Sequence, residues 1–200
     1  MIGTPIVKSY SPPPVSEAEI LRYAGCKEAD ESTLALLHSA LSEALPHITY
    51  RVVYGAFSAD ITGGVCDFGR FSVDSAALSK NLSGAGSVLI FVASVGAMLD
   101  RLIKKYSRTS PARALMLSAI GSERCEALCD AFCEEMWEKY GRVRPRFSPG
   151  FGGVALGAQS EIFTMLAPEK HIGVCLNESL LMSPSKSVTA FLGVKSYEVY

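Results

Sequence analysis

The pattern that most constrains the fold is a long helical stretch over residues 110–140. Pro111 suits the first turn of a helix, where its missing N–H leaves no hydrogen bond unmade, and Gly141 follows the last turn as a cap. Apolar residues form one broad side: Leu115, Leu117, Ile120, Ala127, Leu128, Phe132 and Met136. Gly121 and Ser122 lie in the middle, so the helix could break or kink there.

Shorter helical patterns occur over residues 17–23, 31–45, 74–82, 97–106 and 159–166. Apolar, β-branched and aromatic runs predict strands over residues 48–57, 87–94, 171–176, 180–182 and 187–194. We expect the last two to form a hairpin, and the glycine-punctuated residues 61–71 to form another.

Helices and strands are mixed without strict alternation. The expected fold class is therefore α+β, with a central, twisted and largely antiparallel sheet flanked by helices. The prolines that follow Ser11 predict an extended arm over residues 1–15, and we expect residues 16–200 to form a single domain.

The composition agrees with one globular domain, since 48% of the 200 residues are hydrophobic and 20% are charged. The formal net charge is -1 and no basic run is present, which argues against nucleic-acid binding. The longest apolar run, residues 88–99, is too short and interrupted to span a bilayer. The N-terminus lacks the residue order of a secretory signal, so we expect a cytoplasmic protein with no membrane partner.

The six cysteines are expected to be reduced thiols. Cys125, Cys129 and Cys133 fall on one stripe of the long helix, but three thiolates spread along about 12 Å of rigid helix cannot all reach one ion. We interpret them as core residues. The histidines lack metal-ligand spacing, and no hydrolase, phosphate-binding or dinucleotide motif is present, so no complete active site is predicted.

A rigid loop follows the long helix at residues 144–153, with the sequence Arg-Pro-Arg-Phe-Ser-Pro-Gly-Phe-Gly-Gly. Its prolines and glycines exclude a regular helix, and glycine allows close backbone approach. Two guanidinium groups can bind a carboxylate or phosphate, and two aromatic rings offer stacking faces. The composition suits a small, flat, partly charged ligand; an exposed connection between helices is the alternative.

Acidic residues follow the second half of the long helix: Glu123, Glu126, Asp130, Glu134 and Glu135. Most are expected to form its solvated face. Glu126 adjoins the cysteine stripe at the expected edge of the core, where its carboxylate could accept hydrogen bonds from an ammonium group or ribose hydroxyls. A purely structural charge is the alternative.

Residues 146–151, Arg-Phe-Ser-Pro-Gly-Phe, resemble the Arg-x-x-x-Gly-Tyr motif of the activation (reactivation) domain of cobalamin-dependent methionine synthase. Residues 170–179, Lys-His-Ile-Gly-Val-Cys-Leu-Asn-Glu-Ser, are similar to the family's Ile-Gly-x-x-Leu-Thr-Glu-Ser, and residues 182–184 with 187–188 match its next segment. Glu126 falls where the family's helix carries a ligand-binding glutamate. The resemblance is good over residues 110–195 and looser over residues 16–107, where it is to stand-alone versions of the domain.

The resemblance implies a module that binds S-adenosylmethionine and supports the reductive methylation of cobalamin carried by a partner. In the family, an electron donor such as flavodoxin reduces the inert cob(II)alamin, which bound S-adenosylmethionine then methylates. The chain shows no cobalamin, folate or homocysteine module. The implied partner is therefore a methionine synthase on a separate chain, on which this module would act in trans.

Family roles transfer to matching positions. The resemblance implies that Arg146 pairs with the methionine carboxylate or holds the loop, that Glu126 meets the ligand's polar end, and that Phe151 packs on the ligand. Ser148 and Gly150 would offer backbone groups, and Gly150 would allow close approach.

The chain departs from the family pattern in several places. Phe151 replaces the tyrosine of the motif, Asn177 stands in place of threonine, and Ala155 in place of proline. The arm shows no clear counterpart of a ligand-binding aspartate. Tyr197, with Tyr200, would stand in for a tyrosine pair near the family's C-terminus. Two alternatives follow: a docking protein that has lost the ligand, and a reactivator of another corrinoid methyltransferase.

Overall fold

The structure, a computed structural model, describes residues 4–194. The strands are β1 (Ile6–Ser9), β2 (Arg51–Ser58), β3 (Asp60–Thr62), β4 (Val65–Asp67), β5 (Ser72–Asp74), β6 (Ser87–Ser94), β7 (Cys175–Leu176), β8 (Met182–Ser183) and β9 (Ser187–Val194). The helices are α1 (Glu17–Tyr23), α2 (Glu31–Ala44), α3 (Ala76–Leu82), α4 (Met98–Tyr106), α5 (Pro111–Tyr140), α6 (Ala158–Leu166) and α7 (Pro168–Ile172).

The centre of the molecule is a four-stranded antiparallel sheet in the order β1-β2-β6-β9. A second antiparallel sheet contains β3, β4 and β5, and a third pairs β7 with β8. The antiparallel sheet with flanking helices confirms the predicted α+β class.

Both faces of the central sheet are covered, because alternate residues of β6 point to opposite sides. Leu89 and Phe91 pack in one core with α1, α2, α4 and α5. Val88 and Ile90 pack in a second core with α3, α6 and the three-stranded sheet. This double burial explains why β6 is a continuous apolar run rather than an alternating one.

Helix α5 is continuous over its 30 residues, so the possible break at Gly121 is not found. A Cβ on Gly121 would lie 2.8 Å from Cγ of Lys186 and 3.0 Å from Cδ1 of Leu99. The Lys186 ammonium crosses there and donates to the hydroxyls of Ser118 and Ser122, at 3.0 Å each. The glycine therefore permits close packing of the chain across α5.

The C-terminal part differs from the prediction in two places. Residues 168–172 form α7, with Pro168 in its first turn and Gly173 as its cap at φ +72°, so only Cys175–Leu176 of the predicted 171–176 strand is extended. The predicted hairpin is also wrong, because β8 pairs with β7 whereas β9 pairs with β6 along its whole length. β9 is buried almost throughout. The stabilisation from burying β9 beside β6 outweighs that from a hairpin turn between β8 and β9.

The N-terminal arm lies against α5. Arg124 donates to the carbonyls of Pro13 and Pro14, at 2.6 and 2.5 Å, and the backbone N–H of Ser16 donates to Glu123 at 2.9 Å. Upstream, β1 forms an edge of the central sheet. The division into an arm of residues 1–15 and one domain of residues 16–200 stays a prediction.

No helix in residues 4–194 combines the length and apolarity needed to cross a membrane.

Candidate functional site

The proline–glycine loop is fixed to the central sheet. The backbone N–H of Arg144 donates to Gly193 at 2.8 Å. Phe147 and Phe191 exchange two backbone hydrogen bonds, at 2.9 and 2.8 Å. The loop therefore follows β9, and Arg146 lies between two anchored positions.

A tight glycine-dependent turn follows Phe147. Gly150 has φ +90°, and its N–H donates to Val154 at 2.9 Å. Gly152 has φ +54°, and a Cβ there would lie 2.5 Å from Cζ of Phe147. Only glycine fits this approach. The turn leaves the ring of Phe151 at its tip, where the residue is 71% exposed.

Arg146 binds two carboxylates of α5. Its Nη2 donates to Oε2 of Glu126 and its Nη1 to Oδ1 of Asp130. Burial favours the neutral form, but the Asp130 hydrogen bond and the nearby negative charges outweigh it and raise the pKa of Arg146 above its ordinary value. The guanidinium is therefore permanently charged. Arg144 instead donates to the carbonyl of Ser83.

A cleft of about 590 Å³ opens beside this ion triad. Four of the residues predicted as ligand contacts line it: Glu126, Arg146, Ser148 and Phe151. Gly150 lies in the turn that carries two of them, but not in the cleft wall. Tyr197, the sixth predicted residue, lies outside the described residues.

No protein-family model matches the chain, and no curated protein matches it. Among solved structures, it is similar to the crystal structure of the MetH reactivation domain bound to AdoHcy (S-adenosylhomocysteine), with a TM-score of 0.68. The sequences are 16% identical, and the match covers 98% of this chain and 80% of that chain. The chain has the reactivation-domain fold.

Two lining residues of the cleft in this reactivation-domain fold, and one residue beside it, were missed by sequence reasoning. Asp130, interpreted as part of a solvated face, shares Arg146 with Glu126. Gln159 is 3% exposed and reaches the cleft from the start of α6. Leu181 lines the wall of the cleft opposite Phe151 and is exposed to solvent. Only the carboxylate of Asp130, one helical turn after Glu126, offered a signal.

Glu123 corrects the interpretation of the acidic face, because it is buried rather than solvated. It binds the guanidinium of Arg124, which is also fully buried, and accepts from the N–H of Ser16. The pair binds the arm and lies at the edge of a smaller depression of about 330 Å³, between α1 and α5, that Glu126 and Asp130 also line.

The cysteine stripe lies in the core of the reactivation-domain fold. Cys125 and Cys129 are buried and Cys133 is half-buried. The hydrogen bond between Cys125 and Cys129, together with burial, raises the pKa of Cys129. Burial also raises the pKa of Cys133, so both favour the neutral thiol. Within residues 4–194 no cluster of histidine, cysteine and acidic side chains could hold a metal ion.

Proposed function

We propose that the chain binds S-adenosylmethionine in the cleft beside Arg146. We also propose that it serves in trans as a reactivation module for a cobalamin-dependent methionine synthase. One observation carries the proposal: Glu126, Arg146, Ser148 and Phe151, expected as ligand contacts from a sequence resemblance, line the same cleft. The similar MetH reactivation domain, solved with AdoHcy, supports the same ligand class.

The cleft suits such a ligand in size and chemistry. Sites for small molecules commonly measure about 300–1,000 Å³ and combine apolar walls with few polar groups. Phe151, Leu156 and Leu181 supply apolar surface for a purine ring. Arg146 can bind the ligand's carboxylate, whereas Glu126 can accept from its ammonium group or ribose hydroxyls.

Binding would exchange ion partners at Arg146. Both terminal nitrogens of the guanidinium are engaged by carboxylates of α5. Asp130 is the more exposed of the two, so its release costs little, because exposed ion pairs contribute about 0–1 kcal/mol. A zwitterionic amino-acid end can then offer its carboxylate to Arg146 and its ammonium to Glu126, which lines the cleft.

The ligand would supply a methyl group on a sulfonium centre, and the metal chemistry would belong to the partner's corrinoid. The chain's own residues would bind and orient the donor. The apolar rim of the cleft supports a docking role as well, since Phe151 is 71% exposed and Leu181 is 60% exposed. A surface of this kind fits a partner that closes over the ligand.

Calorimetric titration with S-adenosylmethionine and AdoHcy tests ligand binding. We expect saturable binding by the wild type and an affinity roughly tenfold to 100-fold lower for Arg146→Ala, since a hydrogen bond to a charged group is lost. Arg142→Ala, an exposed arginine near the same loop, should bind as the wild type does. No heat at millimolar ligand would refute the proposal.

The trans role needs a separate assay. The chain would be added, with S-adenosylmethionine and a flavodoxin-like reductant, to an inactivated methionine synthase that lacks its own reactivation domain. Recovery of activity is expected. Binding to that enzyme without ligand binding would support the docking protein instead, and recovery of only another corrinoid methyltransferase would change the partner.

A further inference from the structure

The wall of the cleft opposite Phe151 is a tightly wound loop, residues 177–182. The N–H of Asn177 donates to the carbonyl of Leu181 at 3.0 Å. The Asn177 side-chain oxygen accepts from the N–H groups of Ser179 and Leu181, at 2.9 Å each. Between them, Leu180 has φ +60°, a backbone conformation that a leucine rarely adopts.

Core packing does not explain this conformation. Leu181 is 60% exposed at the tip of the loop, so the winding holds an apolar side chain in solvent rather than burying it. Strained backbone persists where the surroundings impose it, and it is concentrated at ligand sites. Leu180 and Leu181 both line the cleft.

A buried amide links the loop to the central sheet. Gln159 is 3% exposed; its Nε2 donates to the carbonyl of Leu180 at 3.1 Å, and its Oε1 accepts from the hydroxyl of Thr189 at 3.3 Å. The opposite wall rests on the same strand, because Phe191 of β9 pairs with Phe147. Thr189 and Phe191 point to the same side of β9, so one strand sets the positions of both walls.

We propose that Gln159 is a positioning residue that holds residues 177–182 as the wall against the purine ring of an S-adenosyl ligand. Arg146 and Glu126 on the other side take the amino-acid end. The inference rests on the proposed function. It adds that one wall of the cleft binds the purine ring and the other binds the amino-acid end. The purine ring is recognised through Leu180 and Leu181. The positions of these two residues depend on the side-chain amide of Gln159, which does not itself need to touch the ligand.

Two probes separate the two ends of the ligand: AdoHcy, which carries both, and adenosine, which lacks the amino acid. Gln159→Met keeps the side-chain volume and removes both hydrogen bonds. We expect it to weaken binding of both probes about tenfold, and to speed amide hydrogen exchange at Leu180 and Leu181. Arg146→Ala should weaken AdoHcy alone. Glu178→Ala, an exposed change in the same loop, should alter neither affinity nor exchange.

Leu181→Ser provides a second variant that leaves the core intact, and it should weaken both probes without changing the melting temperature. The inference is overturned if Gln159→Met speeds exchange in the loop but binds both probes like the wild type. It is also overturned if Leu181→Ser binds adenosine unchanged. Failure of the wild type to bind AdoHcy at all is a different result, because it removes the proposed function and this inference with it.

Discussion

At the scale of the residue, the most consequential single side chain outside the cleft is Arg124. It is a fully buried cation, and its partners are the Glu123 carboxylate and two proline carbonyls of the arm. Burial alone favours its neutral form, but the hydrogen bonds to Glu123 and the negative charge of that carboxylate raise the pKa of Arg124 above its ordinary value. The side chain therefore couples the arm to α5 as a charged group.

Arg124→Met keeps an extended side chain but leaves Glu123 buried without its cation. We expect a loss of about 3–5 kcal/mol in the free energy of unfolding, because breaking a buried pair leaves an uncompensated charge. Urea denaturation measures it. Arg22→Ala, which breaks the exposed pair with Glu19, is the matched control and should stay within about 1 kcal/mol. A loss below about 1 kcal/mol for Arg124→Met would contradict this role.

At the scale of the element, Glu43 joins three helices. On α2, it accepts from Nε and Nη2 of Arg113 on α5, at 3.0 and 2.6 Å, and from the hydroxyl of Tyr106 on α4, at 2.9 Å. The Arg113 hydrogen bonds lower the pKa of Glu43 despite the opposing effect of burial, and Tyr106 and Lys105 lower it further.

This shift predicts a pH-dependent stability. Because the folded-state pKa of Glu43 lies below its ordinary value of 4.5, the stabilisation is present above that value and is lost as the pH falls through the folded-state pKa. Glu43→Gln should therefore cost about 1–2 kcal/mol at pH 7 and less at pH 3. Denaturation at both pH values measures the difference. Glu28→Gln, at an exposed position, is the control; an equal Glu43→Gln deficit at both pH values would contradict the linkage.

Elements whose signals are local could be predicted from the sequence. The bounds of β6 and α1 agree with the apolar run and with the Ser16 cap. Of the two errors, one is local and the other concerns a long-range pairing. Residues 171–176 have strand-forming composition, but Pro168 and Gly173 favour a short helix. The partner of β9 is the distant strand β6, whose Ser94 lies opposite Ser187, 93 residues later in the chain. No local pattern specifies this pairing.

At the scale of the whole molecule, the candidate site depends on contacts that the sequence motif does not contain. The motif groups Arg146, Ser148 and Phe151 because they lie on one loop. Their approach to Glu126 depends on that loop following β9 while α5 packs on the sheet. Gln159 carried no signal at all, since one glutamine at a helix start is ordinary until its burial is known.

The central claim is that an S-adenosyl ligand binds between Phe151 and residues 177–182, beside Arg146. Amide chemical-shift mapping during titration with AdoHcy tests it most directly, because it reports where the ligand lies. The predicted result is saturable shifts at the amides of Ser148, Phe151 and Leu181 and at Nε of Arg146. The indole N–H of Trp137 lies in the groove on the other side of Arg146 and should change little. Shifts centred on Trp137 or on the α6–α7 corner, or no shifts at millimolar ligand, would contradict it.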